Sequence, residues 1–343
     1  MDLQLFWYVL IGALLAAYAV LDGFDLGVGL LYPFLPRDEA ERRILRRSIG
    51  PVWDGNEVWL LTAGGALFAA FPPVYATVFS GFYLALILVL VGLIFRAVSL
   101  EFRAHDPAWA RVWDAAFAGG SAVPALLFGV AAGNLVRGLP LREDGEFAGT
   151  FLTLLNPFAL LVGVLGLAMF AAHGAAWISY KSTGALRDRA ARVRSATHWL
   201  FTALLVAVTI AATVAAPEHV RSNLTEPLGW VALALLLGGL AYARLEMVRD
   251  RDRGAFLGSA LGIVGLVGLW AVGNFPYLVP GLDGGPGLSA YTESSSDLAL
   301  TVMLVVVLIG VPVVLAYTAL VYRVFRGRVA SDDAADAGTE SGY

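Results

Sequence analysis

Apolar residues in this chain come in long runs separated by short polar interruptions. Nine of the runs are long enough to cross about 30 Å of hydrocarbon. They cover approximately residues 6–31, 52–71, 75–98, 113–135, 156–180, 197–216, 227–247, 254–275 and 298–322. The pattern predicts an all-α polytopic membrane protein of about nine transmembrane helices. Pro51 suits the first turn of the second helix, and Pro72-Pro73 makes a sharp stop before the third. Small-residue pairs such as Gly23 with Gly27 and Gly254 with Gly258 permit close contact between helices, so the spans are expected to form a packed bundle. Residues 1–329 read as a single transmembrane domain. The stretch 330–343, small and acidic, reads as a disordered tail.

The polar interruptions orient the bundle. Arg37, Arg42, Arg43, Arg46 and Arg47 follow the first span, and the turn after the second has no basic residue. This alternation continues along the chain: of the 23 basic residues, all but Arg137, Arg142 and Arg221 fall on one side. That side is expected to be cytoplasmic, which puts the N-terminus outside and, with an odd number of spans, the C-terminus inside. No Lys or Arg precedes the first apolar run, and the run is too long for a secretory signal, so the first helix reads as a retained anchor in the cell membrane.

Composition narrows the function classes. With 59% hydrophobic and 15% charged residues, the chain has no basic surface for nucleic acid. The sequence holds no cysteine, which excludes disulfides, thiolate metal sites and cysteine-ligated iron–sulfur clusters within the chain. The longest loops, of about 20 residues at the span boundaries predicted above, leave no extramembrane catalytic domain.

The residues that ask for an explanation are carboxylates inside apolar sequence. Asp22 and Asp25 lie in the first span, Asp54 and Glu57 at the start of the second, and each pair has the i, i+3 spacing that shares one helical face. The expected topology puts both pairs in the cytoplasmic half, and the third helix returns Arg96 and Glu101 to the same side. A charge at the bilayer centre costs about 2.5 to 3.5 kcal/mol on the insertion scale and usually faces a wet cavity or a partner. One reading is a proton path opening to the cytoplasm, since carboxyls held away from water can load and release protons near neutral pH. The alternative is structural: acids at a helix N-terminus favour the macrodipole, and Asp22-Gly23 would simply end the first helix at the interface. Arg96 would then either neutralise an acid or snorkel to lipid phosphate. A calcium loop does not fit, because the alternating acids and terminal Glu are missing. His173 and His198 are candidate haem ligands at matched depth, with polar packing as the alternative. On its own residues the chain looks like half of a machine.

The segments Leu21-Asp22-Gly23-Phe24-Asp25-Leu26-Gly27-Val28-Gly29, Gly50-Pro51-Val52-Trp53-Asp54-Gly55-Asn56-Glu57-Val58-Trp59 and Thr62 to Pro72 closely resemble subunit II of the cytochrome bd-type quinol oxidases, including the cyanide-insensitive branch. The likeness continues through Val78 to Tyr83, Phe95-Arg96, Glu101-Phe102-Arg103, Gly129 to Leu135, Leu155 to Phe158 and Gly273 to Pro276. The resemblance implies a nine-helix subunit packed against a haem-bearing subunit I in a pseudo-symmetric heterodimer, in contact with membrane lipid and with room for a small accessory subunit. The complex would oxidise quinol and reduce oxygen, taking protons from the cytoplasm. Its b-type and d-type haems, or b haems only, would be ligated by subunit I, so that this chain alone is not catalytic; a bound quinone on this chain is compatible with the family. By the same resemblance Asp54 would line the proton route. Asp22 and Asp25 match the family's acidic pair, Glu57 matches a position that is not always charged, and Trp53, Asn56 and Trp59 would shape and hydrate the path. Arg96 and Glu101 would support it. The alternative class is a proton-coupled secondary transporter using the same acids, although the halves show no convincing repeat.

Overall fold

The computed structural model describes residues 2–329, so the tail expected over 330–343 lies outside the described residues. The chain runs through α1 (Leu3–Leu31), α2 (Glu39–Ile49), α3 (Trp53–Ala70), α4 (Pro72–Gly81), α5 (Tyr83–His105), α6 (Ala110–Arg137), α7 (Phe151–Leu154) and α8 (Pro157–Lys181). It continues through α9 (Gly184–Ala215), α10 (Pro217–Thr225), α11 (Pro227–Val248), α12 (Asp252–Asn274), β1 (Tyr277–Val279), β2 (Leu288–Ser289) and α13 (Asp297–Val324). Among the described residues eight helices, α1, α5, α6, α8, α9, α11, α12 and α13, are long and apolar enough to cross a membrane, which makes the chain a multi-pass membrane protein. α3, the expected second span, is not among them: Asp54, Asn56 and Glu57 occupy its first two turns.

The structure departs from the hydropathy reading in several places. The run 75–98 is not one rod, because α4 starts at Pro72 and the helix is interrupted at Phe82, with φ −94° and ψ 16°. α9 begins at Gly184, well before residue 197, since its first turns bury only Leu186 and Ala190 and carry arginines on their other faces. The polar interval after α1 folds into α2, with the Asp38 side chain accepting from the Glu41 amide at 2.9 Å, acids in the first turn, and Arg46 and Arg47 in the last. The antiparallel β1–β2 pair and isolated bridges between Leu139 and Gly281 and between Leu141 and Phe147 are the β exceptions to an all-α fold among the described residues.

Close packing follows the small residues. A Cβ added at Gly27 would meet the Phe170 carbonyl and the Gly174 backbone, the latter at 2.7 Å, so α1 and α8 touch backbone to backbone. Gly258 on α12 stands in the same relation to Ala243 on α11. The basic loops gather at one end of the bundle, where Ile44, Leu45 and Ile49 of α2 pack with Tyr32, Trp177 and Ile178. At the opposite end, Leu139 pairs with the Pro280 carbonyl and Ser295 with Ala70, tying the 138–150 loop, the hairpin and the start of α13 together.

Candidate functional site

α1 is helical through Leu31, so Asp22-Gly23 does not end it; both Asp22 and Asp25 are carried inside the bundle at 0% exposure. Arg96 on α5 is equally buried. Its guanidinium grips Asp22 with two parallel bonds, Nη1 to Oδ2 at 3.0 Å and Nη2 to Oδ1 at 2.5 Å, and Nη2 also donates to Glu57 Oε1 at 2.7 Å. The reading of Arg96 as a lipid-facing, snorkelling residue is thereby overturned. A planar fork matches a carboxylate two points at a time, which a lysine cannot do.

Asp25 is different. Its Oδ2 accepts from Asn56 Nδ2 at 2.7 Å, whereas its Oδ1 is buried with no hydrogen-bond partner in the chain. Arg96 thus bonds two carboxyl groups, Asp22 and Glu57, and its charge reaches a third, Asp25, to which it makes no bond. Asn56, 1% exposed, also donates to the Leu21 carbonyl at 3.0 Å and accepts from Tyr322 of α13 at 2.9 Å. Trp59 packs on Leu14, Tyr18 and Ala63, and Trp53 is buried at the start of α3. Tyr322 is the residue that sequence reasoning missed. It lies 266 positions from Asn56, in an apolar helix whose pattern gives no sign of it.

The other expected members stand apart. Asp54 is exposed at the N-terminus of α3, one turn before Glu57. Glu101 is half-buried on α5, about 7.5 Å beyond Arg96 along the helix at 1.5 Å per residue. His173 is fully buried and stacked on Phe256 at 4.8 Å. Its Nε2 is 3.0 Å from the Val20 carbonyl and so must donate, leaving Nδ1 to the Ser259 hydroxyl at 2.6 Å. Both His173 nitrogens are thus held within the fold, by Val20 and Ser259. His198, 5% exposed on α9, lies against Trp199. Among the described residues no three His, Asp or Glu side chains gather as a metal-binding group.

Around the acid cluster the basic end is heavily cross-linked. Arg103 bonds Asp114 at 2.8 Å and Glu39 at 2.7 Å, Arg46 bonds Glu39 at 3.1 Å, and Arg189 bonds Glu41. Partial burial pushes the Glu39 carboxyl up, but the hydrogen bonds and charges of Arg46 and Arg103 outweigh it and hold the group below the ordinary value of 4.5. Asp252 is gripped by Arg187 at 2.9 Å, Arg194 at 2.8 Å and Arg328 at 3.2 Å. Lys181 donates to the Phe325 and Gly327 carbonyls at 2.5 and 2.8 Å, capping the end of α13.

Comparison with known proteins places this architecture. The family described as Cytochrome bd terminal oxidase subunit II matches residues 3–325. The chain is 40% identical to the Probable cytochrome oxidase subunit 2 of Haemophilus influenzae, over 95% of each chain. It is 38% identical to the Cytochrome bd-I ubiquinol oxidase subunit 2 of Escherichia coli K12 over 96% of each, and 33% identical to the Cytochrome bd ubiquinol oxidase subunit 2 of Bacillus subtilis over 94% of this chain and 96% of that one. Its fold resembles a chain of the bd oxidase from Geobacillus thermodenitrificans with a TM-score of 0.81 at 16% identity, covering 95% of this chain and 99% of that one. The chain therefore belongs to the cytochrome bd terminal oxidase subunit II family, and is a subunit of a membrane-bound quinol oxidase that reduces oxygen.

Proposed function

We propose that this chain packs against a haem-bearing subunit I and delivers cytoplasmic protons toward the oxygen site there. In this arrangement the chain spans the membrane nine times, α3 included, as one transmembrane domain, with the basic end cytoplasmic and the N-terminus outside. α13 buries only Leu300 among its residues and is the face offered to subunit I and lipid. The haems bound by that partner supply the electron transfer and oxygen reduction; b-only and b-plus-d sets both suit the reading. Quinol is the electron donor, and a quinone on this chain or a small accessory subunit is compatible with it.

The carrying observation is the group of buried Asp22 and Asp25 and half-buried Glu57 near Arg96, with one Asp25 oxygen unpaired. Such an arrangement costs free energy unless its charge can be balanced, and an exchangeable proton balances it. Asp54, exposed at the cytoplasmic mouth, collects protons. Glu57, one turn deeper and in contact with Arg96, links it to the buried acids. Trp53 and Trp59 wall the route, and Glu101 extends its acidic approach.

The test is Asp54→Asn in the assembled complex. Quinol-driven oxygen uptake should slow while subunit co-purification and haem spectra stay normal. Unchanged uptake would show that Asp54 is no essential relay, and collapse of haem incorporation would assign it a structural role.

A further inference from the structure

Asn56 is a bracket between three helices. Its orientation is fixed by chemistry: the Leu21 carbonyl can only accept, so Nδ2 must face it, and Oδ1 consequently faces Tyr322. The phenol must therefore donate. Both Nδ2 protons are used, one on Leu21 and one on Asp25 Oδ2, so every polar atom of this buried amide is engaged. Turning the amide over would set its oxygen against the Asp25 carboxylate. The Leu21 carbonyl and Asp25 exclude this, and the Tyr322 hydroxyl, donating to Oδ1 from α13, anchors the amide from its third side. A shallow cleft of about 20 Å³ between the start of α3 and α13, lined by Gly55, Asn56, Thr318 and Tyr322 among others, borders this hydrogen bond.

We propose that Tyr322 is a positioning residue for proton transfer at Asp25, its hydroxyl locking the Asn56 amide so that Asp25 is held by Oδ2 and exchanges protons at Oδ1. The inference rests on the reading of Asp25 as part of the proton route. A proton arriving on Oδ1 converts the carboxylate to the acid while Oδ2 keeps its bond from Asn56. Passing the proton on restores the carboxylate, and no other bond changes. The groups that face Asp25 are Asp22 of α1, Asn56 and Glu57 of α3, Arg96 of α5 and Tyr322 of α13. Among them Tyr322 acts through the amide, not through a charge.

The experiment compares Tyr322→Phe with Asp25→Asn in the intact oxidase, reading haem content and the pH profile of quinol-driven oxygen uptake. Tyr322→Phe should keep its haems, lose about fivefold in kcat, the ratio expected for one neutral hydrogen bond, and move the pH profile. If Asp25→Asn slows turnover but Tyr322→Phe keeps both kcat and pH profile, the proposal is overturned and the reading of Asp25 stands. If Asp25→Asn changes neither, the reading fails and takes the proposal with it. Should Tyr322→Phe not assemble, the wild-type complex with isotopically labelled tyrosine answers instead. A tyrosine C–O infrared band that moves with pH, and is fixed in Asp25→Asn, supports the coupling, and the lack of such a band overturns it.

Discussion

Two ion-pair centres at the basic end are near mirror images in charge. Around Arg96, one guanidinium meets Asp22 and Glu57, with Asp25 close enough to feel its charge; around Asp252, one carboxylate meets Arg187, Arg194 and Arg328. Both central residues are buried, Arg96 at 0% and Asp252 at 4% exposure. The difference lies in what each can do with its surplus. Arginine does not give up its proton in proteins, so the Asp252 centre is permanently charged and can only hold things together. It joins the end of α9's first turns, the start of α12 and the segment after α13. The Arg96 centre has its surplus on carboxyls, which do titrate, and one of them has an unpaired oxygen. Excess cation makes a staple, and excess acid makes a site whose charge can change.

The sharpest way to break this contrast is Arg96→Met. It would leave Asp22 and Glu57 without their cation, a loss of about 3 to 5 kcal/mol for a broken buried pair. The complex should fail to accumulate or melt much earlier, as measured by yield and thermal unfolding in detergent. Normal stability would mean that the carboxyls are already neutral without Arg96. Next in size is Asp252→Asn, where Arg187 and Arg328 reach solvent and only Arg194 is stranded. About 1.5 to 3 kcal/mol of stability should go, the range for charge-assisted hydrogen bonds, with no change in the pH profile of oxygen uptake. A shifted profile would erase the distinction between staple and site.

The smallest effect concerns Glu39, which belongs to neither centre. Because its folded-state value is depressed, its contribution is present above the ordinary value of 4.5 and is lost as pH falls below it. Acidification through that range should loosen α2 from α5. Hydrogen exchange of α2 amides measures it, and Glu39→Gln should remove the pH dependence while leaving the Arg96 centre untouched.

How much of this is legible in the sequence follows from what hydropathy can register. The long spans were legible because each is an uninterrupted apolar run, and Asp22, Asp25, Glu57 and Arg96 because charge in such a run is costly enough to need a partner. Their association in one cluster followed from spacing and alternation of the spans. The breaks were not legible: Phe82 is as apolar as its neighbours, and its φ and ψ are set by packing. α2 was hidden because its apolar residues are few and its helix is fixed by caps and by Trp177, which donates to the Ser48 carbonyl from a distant segment. Tyr322 was hidden for a related reason. An aromatic residue in an apolar helix gives the same signal whether it faces lipid or an amide 266 positions away. His173 shows the converse, since it is conspicuous by type while both its nitrogens serve the fold.

The backbone contact of Gly27 with Gly174 lies on the side of α1 away from its acids, yet it sets their register. A slip of α1 by one residue would turn it by about 100° and raise it by about 1.5 Å. Asp25 would then swing off Asn56, and Asp22 off the fork of Arg96. Two residues with no side chains act as the tooth and notch of a gear, and the acid-bearing face stays in mesh because the opposite face has no room to turn.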